Sequence, residues 1–466
     1  MALAVGHDFS LVVTENGNIY SFGRHFIDQG QLGNGDNADV AASHIVPILL
    51  DKDLVFDEHA VEMVSAGDYH SACVTADGSV WTWGSNRNWQ LGLGHCIEKT
   101  SPQRIRRNLF GDSRALMVAC GNEFSMVLTT AGRVWTCGEN NVGQLGLHDL
   151  VWRHVLVEIN PATFDNRPIG MITAGFHHCL ALGRDDGMLW TWGWNGFGEL
   201  ALGDQTEADV VTAPTLVSPL AFGGNTVRYI DAKQNSMVIT SEGELWASGL
   251  NSFGILGLGT YDNYYTTMQR VGGADVFGTG GVKMVSCGTH RTLIVACDGT
   301  LWSTGHQELS RGTLLSISHG DQILCAEGFL CNVRPGRVDR EYFAGDDVIV
   351  AATGIGHSIA VTAHGRAYCW GQATCLVGHN DMDCNAWGPC PITGETFDGE
   401  RIGRWHVLQK ERSLAFAMGT HAHLAAAGDH TEYSANFPDE LLQNVFAKMR
   451  LVPREGTTVG FQNLLG

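Results

Sequence analysis

Basic residues are scarce in this 466-residue chain: 29 Lys plus Arg stand against 49 Asp plus Glu, a formal net charge of −20. Such a surface repels phosphate backbones, which argues against direct nucleic-acid binding and suits basic or neutral partners. Long apolar runs are missing too, and none approaches the ~20 residues of a membrane span. The opening Met1-Ala2-Leu3-Ala4-Val5-Gly6-His7 lacks the basic-then-apolar order of a secretion signal. Catalytic signatures are also absent. There is no Gly-x-Ser-x-Gly elbow, no His-Glu-x-x-His and no Walker loop with its lysine. Gly278-Thr279-Gly280-Gly281 is a turn cluster, followed by neither a Lys-Ser/Thr pair nor a helix. The expectation is a chain with no catalytic residue and no cofactor, leaning away from an enzyme.

Short Cys-x-x-Cys knuckles are lacking among the thirteen cysteines. Cys369, Cys375, His379, Cys384 and Cys390 crowd together, but their spacing is unlike a zinc site, so no metal is expected. Cys73, Cys120, Cys137 and Cys287 sit inside apolar strand patterns, the use made of small buried hydrophobes in a reducing compartment. Cytoplasm or nucleus is the expected location.

What the chain has in abundance is glycine, 59 residues, placed in register. Residues 77–92 state the theme. Asp77-Gly78 is a tight-turn signal, Val80-Trp81-Thr82-Trp83 a short buried strand, and Gln90-Leu91-Gly92 a second turn. The aromatic beyond each turn recurs as Tyr20, Trp81, Trp135, Trp190, Trp246, Trp302 and Tyr368, at intervals of 54 to 66 residues. A second marker, a glycine before the following strand, recurs as Gly6, Gly67, Gly121, Gly175, Gly288, Gly354 and Gly419, with Ala232 filling the fifth slot. Units of this length, all strand, cannot bury both faces alone and must pack on one another. A closed ring of blades fits better than a solenoid, because the terminal half-units are ordinary copies rather than caps. The large aromatics are expected to fill the wedges between blades.

The pattern Gly-x-x-His-Ser, Asp-Gly-x-Val-x-x-Trp-Gly, Gly-Gln-Leu-Gly resembles the RCC1 repeat family of seven-bladed β-propellers. The best copy is Gly67-Asp68-Tyr69-His70-Ser71 with residues 77–92, and the resemblance covers residues 1–436. Copies have drifted: the His slot holds His70, His178 and His357 but Phe9, Phe124, Asn235, Arg291 and Ala422 elsewhere, and the sixth copy lacks the Gly-Gln-Leu-Gly turn. The fold expected is all-β, a seven-bladed propeller over 1–436 with a short C-terminal helical tail over 437–466. In that tail, apolar residues 441, 442, 445, 446 and 449 have helical spacing. Residues 414–418 and 423–427 repeat the two opening strands, so one pair is surplus or seals the ring beside the other, and the termini are expected to meet at the closing blade.

The family resemblance implies a non-catalytic scaffold that presents loops to a protein partner, or an exchange factor for a Ran-like small GTPase. The basic tail through which RCC1 engages chromatin is missing. The opening of the tail, Phe437-Pro438-Asp439-Glu440-Leu441-Leu442, also resembles the start of an F-box, which would imply a Skp1-like adaptor as partner and a ubiquitin-ligase role. Plant ultraviolet receptors share the repeat, but their Gly-Trp-Arg-His-Thr signature is absent. Repeats six and seven carry insertions of about ten residues, so segments 312–340 and 372–404 are the leading loop candidates. Candidate binding residues are Arg311, Arg334 and Arg337 at the first, and Asp381 and Asp383 in the second. Arg104, Arg106 and Arg107, the densest basic cluster, complete the set.

Overall fold

The structure is a computed structural model. It describes residues 3–24, 30–35, 43–106, 108–203, 208–307, 318–319, 322–324, 330–371 and 389–392. Seven antiparallel sheets follow one another along the chain, and in all but the sixth consecutive strands run in order from the inside of the ring outwards. The second blade is typical: Val61–Ala66 innermost, then His70–Thr75, Val80–Gly84 and Lys99–Arg104. The two middle strands are buried along their whole length. This is why they read as continuous apolar runs rather than as an alternation. The expected seven-bladed β-propeller is what the chain forms.

The motif residues build the seams between blades. The Gln90 carbonyl accepts a hydrogen bond from Ser125 Oγ of the third blade at 2.7 Å, and His70 Nε2 lies 2.9 Å from that same oxygen. Because the serine proton is committed to Gln90, His70 donates from Nε2. His178, Ser236 and the Glu199 carbonyl repeat the arrangement between blades four and five. Trp83 Nε1 reaches back to the Gln31 carbonyl at 3.0 Å, and Trp192 Nε1 to that of Gln144 at 3.0 Å. Asn86 and Asn140 shape the loop before each Gln-Leu-Gly, accepting from the backbone N–H of Leu91 and Leu145.

The wedge reading of the aromatic marker gains a specific partner. Phe56, Phe110, Phe164, Phe222, Phe277 and Phe343 lie on the connections between blades. They meet Trp81, Trp135, Trp190, Trp246, Trp302 and Tyr368 edge to face, with centroids 5.2 to 6.4 Å apart. Single helical turns carry most of these phenylalanines, such as Pro161–Phe164, capped by Asn160.

Two expectations need amendment. The fifth marker slot is not filled by Ala232, which belongs to the strand Val227–Ala232. The turn is one residue shorter, and Lys233 N–H makes the bond to Asn235 O that Gly67 N–H makes to His70 O. Segment 312–340 is not a plain loop, because Leu330–Val338 is the fourth strand of blade six, and Ser318–His319 and Gln322–Leu324 pair with it. The ring closes between complete blades. Blade one is Leu3–Val5, Phe9–Val13, Ile19–Arg24 and Ser43–Leu50; blade seven is Val348–Thr353, His357–Thr362, Ala367–Gly371 and Cys390–Ile392. His357 Nε2 meets Ser10 Oγ at 2.6 Å across that junction, the same contact as at other seams. Residues 414–427 and 437–466, where a tail helix is expected, lie outside the described residues.

Candidate interaction face at the axial mouth

The turns between the first and second strands converge on the ring axis, and there the marker glycine is dictated by crowding. A Cβ on Gly67 would lie 2.4 Å from Gly121 O, one on Gly354 2.4 Å from Gly6 O, and one on Gly288 2.6 Å from Gly354 O. Beneath this collar lies a cavity of about 120 Å³. Ala4, Ser65, Ala119, Thr173, Asp231, Ser286 and Ala352, one equivalent position per blade, line it.

Side chains next to the glycines surround the mouth. Lys233 Nζ lies 2.9 Å from Asp68 Oδ1 and 4.4 Å from the Phe176 ring centre. His7 stacks on Tyr69 and faces the Asp8 carboxylate at 3.1 Å. Glu123 accepts a hydrogen bond from Asn88, and Glu139 accepts one from Asn141 at 2.7 Å. Burial, then the charge of Glu139, raises the Glu123 pKa; burial raises that of Glu139 and lowers that of His177, whose Nδ1 lies 4.0 Å from Glu139. No lysine or arginine pairs with Glu123 or Glu139 among the described residues.

An apolar ledge lies outside these carboxylates, on the loops between third and fourth strands, which open on the same face. Trp89, held at φ 58°, meets Trp152 edge to face at 5.5 Å. Ile97 and Val151 are 61% and 60% exposed. Phe197 and Tyr264 form a second exposed pair at 6.2 Å.

The residues chosen from the sequence do not gather here. Arg104 ends the fourth strand of blade two on the opposite face, where it binds Asp57 at 2.5 Å, Asp77 at 2.7 Å and Ser79, beside the Trp81 ring. Arg106 is exposed just beyond it. Arg334 and Arg337 lie on the fourth strand of blade six, exposed, with Arg337 opposite Trp302 as Arg104 is opposite Trp81. Arg107, Arg311, Asp381 and Asp383 lie outside the described residues. Of the cysteine group, Cys369 and Cys390 are cross-strand neighbours in blade seven, and Cys375, His379 and Cys384 are outside the described residues. Sequence reading passed over Asp68, Glu123, Glu139, Lys233, Trp89 and Trp152. Aligning the two residues after each marker glycine, copy by copy, would have exposed the first of these.

A family model described as an RCC1-like domain matches residues 1–235. The chain belongs to the RCC1-like family. Among curated relatives, the ultraviolet-B receptor UVR8 of Arabidopsis thaliana is 32% identical over 257 residues, 55% of this chain and 54% of its own. Protein RCC2 of Mus musculus is 27% identical over 63% of this chain and 56% of its own. The chain thus spans about half the length of these two relatives. Yeast RCC1 (Prp20), solved bound to Kap60, superposes with a TM-score of 0.67 at 20% identity, covering 89% of this chain and 93% of that one. Human WBSCR16 gives 0.64 at 20% identity, covering 78% and 87%. At those identities the solved RCC1-like structures speak for the ring alone. No helix among the described residues is long and apolar enough to cross a membrane.

Proposed function

We propose that this RCC1-like chain is a non-catalytic interaction module that binds a basic protein partner on the face carrying the axial mouth. The observation that carries the reading is the apolar ledge of half-buried Trp89 and Trp152 with exposed Ile97 and Val151, set beside the half-buried carboxylates Glu123 and Glu139, which no lysine or arginine pairs among the described residues. Apolar anchors beside charges of one sign favour docking of an opposite charge, and a few such anchors dominate binding energy. The partner's lysine or arginine would offset the repulsion between the two carboxylates. None of the ten cysteines among the described residues is disulfide-bonded, which supports a cytoplasmic or nuclear setting.

A tagged full-length chain should capture a defined partner from extract at moderate salt. Trp89→Ala with Trp152→Ala should reduce that capture by about tenfold or more, the scale of a hot-spot loss. Capture unaffected by the double substitution sinks the assignment to this face. The exchange-factor reading is the alternative, favoured by the likeness to Prp20, whose structure was reported with its binding to Gsp1p and histones. It predicts faster release of labelled GDP from a small GTPase mixed with this chain, and a rate equal to the spontaneous one removes it.

A further inference from the structure

Six blades bring a glycine to the axial mouth, and the fifth brings Lys233. Its turn is shortened by one residue, so the lysine backbone takes the glycine's place in the collar while its side chain is free to cross the opening. The ammonium reaches Asp68, three blades away around the ring, at 2.9 Å, and rests against the Phe176 ring. Both charged side chains are largely buried, 11% and 8% exposed. The pair lies over the cavity lined by Ser65, Ala119, Ser286 and Ala352, and Asp231 within that wall accepts from Cys287 N–H at 2.8 Å.

We propose that the Lys233–Asp68 pair is a gate that closes the axial cavity to small polar solutes. The other six blades bring only a glycine to this collar position, so parting this pair widens the mouth without moving a blade. An ion pair spanning non-adjacent blades breaks locally, at far less cost than opening a seam. The inference stands apart from the docking proposal, because it requires no partner.

The test uses full-length chain carrying Ala352→Cys in the cavity wall and a small uncharged thiol reagent, methyl methanethiosulfonate, with labelling read site by site by mass spectrometry. Lys233→Met removes the charge and keeps the stem against Phe176; Asp68→Asn removes the other partner. Each should raise the labelling rate at position 352 by about tenfold or more, the factor expected when a largely buried ion pair is lost. Cys73, fully buried off the axis, reports global opening and should stay slow. Unchanged labelling at 352 in either folded variant overturns the gate. So does a rise at Cys73 that keeps step with 352, because the cavity is then reached by unfolding.

Discussion

Glu199 occupies the slot that Gln90 and Gln144 fill in earlier blades, with its backbone carbonyl in the same role. Buried there, its carboxyl is raised to about 7, chiefly by desolvation. A carboxyl whose folded pKa exceeds its unfolded value adds stability below the unfolded pKa and loses it as pH rises through the folded one. Glu199 therefore weakens the ring between pH 4.5 and 7, and Glu199→Gln should stabilise it at pH 7.5 more than at pH 5 in urea melts. Equal effects at both pH values would show that the carboxyl is not the strained form.

The seam histidines act in the opposite direction. Burial lowers His70 and His357 to about 4 and His178 to about 3. The unfolded chain takes up protons first, so stability falls as pH drops from 6.5 towards 4. His70→Gln should flatten that decline, even if it costs stability at neutral pH. A decline of unchanged slope would place its origin elsewhere.

At the scale of the element, each blade is a sheet that needs its neighbour. The Phe–aromatic pairs pin the connections between blades, and Phe164→Ala or Trp81→Ala should cost roughly 3–5 kcal/mol, the usual penalty for emptying an aromatic site. Thermal melts unmoved by either change would show that the pairs are dispensable. The outermost strands are covered by the preceding blade's loop: Gly94 N–H bonds His154 O at 2.8 Å, and His148 N–H bonds Thr212 O at 2.9 Å. These contacts occupy edge groups otherwise open to strand addition.

Strand existence and order were legible in the sequence because turn glycines and aromatic markers recur in register. The phenylalanine partners have a period of their own: they precede their aromatics by 24 to 26 residues. The axial mouth was not legible, because its residues lie one per repeat and meet only when the ring closes. Lys233 was hidden by a deletion that shifts its turn by one position. Arg104 was misleading for the reverse reason, since a basic residue in a cluster looks available until its carboxylates are seen.

At the scale of the whole molecule, each of the seven sheets has at least four strands among the described residues by Ile392. A chain ending at residue 395 should therefore keep the melting temperature of the full-length protein. A marked drop would show that the later residues belong to the ring after all. Ser10→Ala, at the junction of blades one and seven, should destabilise by about 1–3 kcal/mol, the cost of leaving buried His357 without that bond.

That junction carries one more consequence. Among the described residues no strand is exchanged across it, and contacts between two complete sheets, His357 with Ser10 among them, fasten first blade to last. The described residues are a row of mutually dependent links bent into a bracelet, and the His–Ser contact at its clasp is the one found at its joints. The order of links is then arbitrary: joining residue 392 to residue 3 by a short linker and cutting any other connection should return the same bracelet with a new clasp.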